Sequence, residues 1–153
     1  MKRTRSRVRI AVFGLVGAFA LAAPLAGASA PEPVTIATQG TFTGPNSTAG
    51  TFTISGAVSD SGTYVDTFRL AGQTLHLVKT LTGGDGSITL SAQGVVRFTS
   101  PTTATFVAGH WRIVSGTGAY ADLKGGGTPG ASGTADFAAG TVTVVHEGSA
   151  RAG

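Results

Sequence analysis

Two ionisable side chains fall on strand faces that are otherwise apolar. Asp66 alternates with Tyr64, Phe68 and Leu70, and His146 follows Val142 and Val144. A period of two puts such residues on one face of a strand. A carboxylate among apolar walls tends to take up a proton and can act as a general acid. An imidazole beside it can shuttle that proton or polarise a substrate oxygen. Asp66 and His146 are therefore the candidate catalytic pair. The competing reading puts Asp66 at a barrel mouth or on a turn, and His146 near the end of the last strand. Tyr64, Phe68, Trp111 and Ile113 are the candidate ligand-lining residues. For Trp111 there is a bland alternative, since a lone Trp at a strand centre is often core.

Other chemistries find less support in the residues. His76, His110 and His146 lie on three different strands, and their strand phases conflict. A three-histidine metal site needs all of them to face one point, so no metal is expected. Gly116-Thr117-Gly118-Ala119-Tyr120-Ala121 matches a dinucleotide-binding pattern. That pattern requires a helix directly after the glycines. Gly125-Gly126-Gly127 and Pro129 leave no room for one. The segment reads instead as a tight strand-to-strand corner. There is no G-x-S-x-G, and no cofactor is expected.

The elements that must position these residues are short and extended. Runs rich in Thr, Val, Ile and Phe alternate with Gly, Asn, Asp and Pro, which is strand-and-turn punctuation. The pattern predicts strands over 34–43, 51–58, 63–70, 73–81, 87–99 and 103–115. A short segment over 119–123 follows, then a flexible Gly125–Gly130 run, and a closing hairpin over 131–137 and 141–147. Leu75, Leu77 and Leu81 share one side of their strand. Gly94 marks a bend or bulge, and Val107, Trp111 and Ile113 oppose His110 and Arg112. The fold class is all-β: a single antiparallel barrel of about eight strands, with a β-sandwich as the alternative. Closure is favoured because it removes exposed sheet edges.

The first nine residues carry Lys2, Arg3, Arg5, Arg7 and Arg9, and no charge follows until Glu32. An apolar run and the small residues Ala26-Gly27-Ala28-Ser29-Ala30 complete a secretory signal peptide over 1–28. A lead-in over 29–33, a barrel domain over 34–148 and a flexible tail over 149–153 make up the rest. The expected location is extracellular, with no stable membrane anchor after processing. Five of the 11 basic residues and none of the 7 acidic ones lie in the signal. The remainder is close to neutral, which removes the electrostatic footprint of nucleic-acid binding. There is no Cys, so disulfides and thiol chemistry are excluded.

Trp111-Arg112-Ile113-Val114-Ser115-Gly116-Thr117-Gly118-Ala119-Tyr120, with its Gly-rich sequel, resembles the G-T-G-x-Y/F segment of the allene oxide cyclase and dirigent superfamily. The resemblance covers about 20 residues and carries over Gly116, Gly118 and Tyr120 as an architectural corner. It implies an eight-stranded barrel, often trimeric, with an apolar cavity. Such cavities cyclise an unsaturated fatty-acid epoxide or orient phenolic radicals without a cofactor. The family's catalytic carboxylates find no matching motif here. Two functions follow as expectations. One is a small apolar ligand bound, and steered in its chemistry, inside an exported barrel. The other is a non-enzymatic extracellular or envelope protein with a filled interior.

Overall fold

Strand alternation carries the architecture. The computed structural model describes residues 29–153, so the signal peptide expected over 1–28 lies outside the described residues. Eight strands run in order: β1 (Glu32–Gly44), β2 (Ser47–Gly56), β3 (Asp60–Ala71), β4 (Thr74–Gly83), β5 (Ser87–Phe98), β6 (Thr103–Gly116), β7 (Lys124–Asp136) and β8 (Thr141–Arg151). Each pairs antiparallel with the next, and β8 returns to β1, so the barrel is closed and not a sandwich. Among the described residues no strand is left with an unpaired edge, which suits a sheet that no helix covers there.

One face of every strand points inward. Val34, Ile36 and Thr38 of β1 are buried, as are Tyr64 and Asp66 of β3, Leu77, Lys79 and Leu81 of β4, and Val144, His146 and Ala150 of β8. Turns at 44–47, 71–74, 98–103 and 136–141 form one end of the barrel. The opposite end holds the other connections and both ends of the described chain.

That second end is plugged. The residues after β6 form a short 3-10 turn over Gly118–Tyr120 instead of the extended segment expected over 119–123. Gly118 takes φ +61°, a conformation that favours glycine. The turn folds Tyr120 and Leu123 into the core. The Tyr120 hydroxyl donates to Asp60 Oδ2 at 2.8 Å. Burial, with the Asp60 carboxylate beside it, pushes the Tyr120 hydroxyl above its ordinary range.

Two more expectations change. The glycine run over 125–130 is not a loop but belongs to β7, whose inward positions are small. A Cβ on Gly127 would stand 2.9 Å from Trp111 Nε1, so the glycine gives the indole its space. The tail expected over 149–153 is strand as far as Arg151, and Ala150 is buried. Inward phase also shifts within β6, where the register slips between Phe106 and Gly109 and Ala108 has φ 51°. Phe106 therefore points inward on one side of the bulge and Trp111 on the other; Val107, expected to share Trp111's face, does not.

Candidate functional site

The interior is divided along the barrel axis. Its plugged half is filled by Ile36, Ile54, Leu81, Ile88, Leu90 and Trp111. Its open half contains a cavity of about 500 Å³. Phe42, Phe68, Leu77, Val96, Phe106 and Val144 form its apolar walls, while Thr48 and Asp66 add polar atoms. At the mouth four phenylalanines stand in sequence. Phe68 meets Phe42 edge to face at 6.3 Å, Phe42 stacks on Phe137 at 5.4 Å, and Phe137 stacks on Phe98 at 6.0 Å. Phe98 is 62% exposed, so this aromatic row reaches from solvent into the barrel.

The polar floor follows from strand register. Thr48 is opposite Asp66 across β2 and β3, and Asp66 is opposite Lys79 across β3 and β4. Asp66 Oδ1 accepts from the Thr48 hydroxyl at 2.6 Å and from the Thr48 backbone N–H at 3.2 Å. Lys79 Nζ stands 3.1 Å from Asp66 Oδ2 and donates to Thr38 Oγ1 at 3.0 Å. The same ammonium lies 4.0 Å from the centroid of the Tyr64 ring. Three donor directions thus meet a carboxylate, a hydroxyl and an aromatic face. Thr38 passes its own proton on to the Val144 carbonyl at 3.1 Å. Tyr64 OH lies 3.3 Å from Thr48 Oγ1. The Thr48 hydroxyl has one proton, and its shorter contact directs that proton to Asp66 in preference to Tyr64. Burial lowers the Lys79 ammonium's pKa from its usual range, while Asp66 pulls in the opposite direction.

His146 lies in the filled part of the barrel. Its register partners are Ile36 on β1 and Ala131 on β7. The ring packs against Trp111 in a T-shaped contact at 5.8 Å, and it is 0% exposed. Neither ring nitrogen has a hydrogen-bond partner among the described residues. Burial first, and then the nearby Lys79 charge, holds the imidazole down to about 3; the Ile36 backbone opposes this without reaching hydrogen-bond geometry.

The candidate residues are therefore separated by depth. Asp66 and Phe68 line the cavity. Tyr64 supports the floor from below, and Ile113 packs against the core. Trp111 is core too, with its Nε1–H donating to the Glu147 carbonyl at 2.9 Å. Asp66 and His146 are not in contact: the carboxylate's partners are Thr48 and Lys79. Gly116 approaches the Tyr120 backbone closely at the plugged end. His76 and His110 face outward while His146 faces inward, so the three histidines do not converge. No family model, curated protein or solved structure matches this chain.

Lys79, Thr48 and Thr38 complete the polar floor, and none of them is among the candidates read from the sequence. Lys79 did carry a signal, because it shares the parity of Leu75, Leu77 and Leu81. Chemically the site can do two things. It can enclose an apolar body, and it can present a fixed carboxylate acceptor at the inner end. Asp66 already accepts three hydrogen bonds, and a carboxylate offers about four lone-pair sites. About one remains for a donor on a ligand.

Proposed function

We propose that this chain is an exported β-barrel that binds a small, largely apolar molecule carrying one hydrogen-bond donor. The observation that carries the reading is the cavity of about 500 Å³ with apolar walls and Asp66 on its floor. That volume is in the range of small-molecule pockets, as is the pattern of many apolar contacts and few polar ones. The aromatic row would receive the ligand's body, and the free lone pair of Asp66 would fix its polar end. Export is part of the proposal and rests on the basic start and apolar run of the leader.

The resemblance to the allene oxide cyclase and dirigent superfamily adds a second element. A flexible ligand held in one folded conformation would be biased toward one cyclisation or coupling product, by shape and water exclusion alone. The aromatic row favours this element, because it constrains the ligand along its length. An acid–base role for Asp66 with His146 is not part of the proposal, because His146 is fully buried away from the cavity.

Ala135 is half-buried on the cavity wall and offers a direct test. Ala135→Trp places a ring in the space a ligand would use. Native mass spectrometry is expected to show 1-decanol retained by the wild-type chain and lost from this variant, with an unchanged circular-dichroism spectrum. Equal retention by both proteins would remove the cavity as the binding site.

A further inference from the structure

The outer wall carries a second constellation, independent of the cavity. Arg69 of β3 is the register partner of His76 on β4, His76 of Gln93 on β5, and Gln93 of His110 on β6. These four side chains form one continuous row across four strands. Three strand spacings make it roughly 14 Å long. Next to it Arg112 is opposite Ser91, and its Nε donates to Ser91 Oγ at 3.4 Å. The register shifts after Gln93 and around Gly109 bend β5 and β6 here. All six side chains line a groove of about 680 Å³ on this wall.

The charge in this groove is one-sided. None of the 7 acidic residues of the chain lines it. Arg69 and Arg112 are exposed, and among the described residues neither pairs with a carboxylate. Each of the six side chains can donate a hydrogen bond. Outside the leader the chain is close to neutral, so a cationic groove is a local feature and not a consequence of net charge. Guanidinium groups match oxyanions in two-point geometry.

We propose that this groove is a binding site for an extended oligoanion, with its oxyanions lying along the row from Arg69 to His110 and onto Arg112. Phosphates and carboxylates share the required chemistry. The groups at the two ends set the length of the ligand, and Gln93 supplies a neutral donor in the middle.

Isothermal titration calorimetry of the full chain at low salt tests this, with tripolyphosphate and trigalacturonate as the two probes. At least one is expected to bind with a stoichiometry of one. Arg69→Gln/Arg112→Gln is expected to weaken that binding by tenfold or more, whereas Arg97→Gln/Arg151→Gln, which removes the same charge elsewhere, leaves it within twofold. His76→Leu/His110→Leu, which removes both donors with the arginines kept, is expected to weaken it several-fold and serves as the test if the arginine variant misfolds. The preferred probe identifies phosphate or carboxylate as the group recognised. Failure of both probes at millimolar concentration overturns the proposal, as does an equal loss in the Arg97/Arg151 control.

Discussion

Lys79→Met is expected to cost the folded chain about 3–5 kcal/mol, the scale for breaking a buried ion pair from one side. The loss comes less from the missing attraction than from what remains. Asp66 would keep its place between Thr48 and the cavity, but with no cation opposite. Thr38 would also lose the donor to its hydroxyl. The double variant Asp66→Leu/Lys79→Met removes both charges and is expected to recover most of the loss, because an apolar pair of similar volume avoids the desolvation of two ions. Urea unfolding of the two single variants and the double completes the cycle. Losses that simply add would mean that the two side chains are not energetically coupled.

Acid is expected to destabilise the barrel through His146. The folded-state imidazole titrates near 3, against 6.5 for the unfolded chain. Between those values the unfolded chain binds the proton and the folded chain does not. Stability is therefore complete above about pH 6.5 and falls as the pH drops toward 3. From pH 7.5 to 4.5 the expected loss is roughly 2–3 kcal/mol. Asp60 is also held below its ordinary range, chiefly by Tyr120, but its contribution is lost only at more acid pH than this window. The Lys79 charge adds to the cost of placing a second cation inside the barrel. His146→Leu is expected to flatten the slope between pH 7.5 and 4.5. An unchanged slope in that variant would assign the acid sensitivity elsewhere.

Much of the fold was legible because alternation is a local property. The inward placement of Asp66 and His146 could be read from their neighbours two residues away. Even the partner of Asp66 was within reach, since the tight turn at Gly72 fixes the β3–β4 register and puts Lys79 opposite. The general rule that lysines are exposed hid it. Depth along the barrel was not legible. Tyr64, Trp111 and Ile113 are on the interior side, yet only Phe68 of the four proposed lining residues reaches the cavity. Depth depends on the stagger of all eight strands around the closed barrel, which no single strand encodes. The bulge at Ala108 was hidden for another reason, because a left-handed conformation at alanine has no residue-type signature. The glycines of β7 were misread because the same residue serves flexibility and close approach, and only the position of the Trp111 ring decides between them.

In the proposed function the cavity recognises an apolar body together with one donated hydrogen bond. Calorimetric titration of a matched pair, 1-decanol and its methyl ether, measures this most directly. The ether keeps the apolar chain and oxygen but has no proton to give to Asp66. The wild-type chain is expected to prefer the alcohol by about tenfold, the scale of one hydrogen bond to a charged group. In Asp66→Leu/Lys79→Met the preference should disappear while both compounds still bind. Equal affinities for the two compounds in the wild-type chain, or no binding of either, would contradict it.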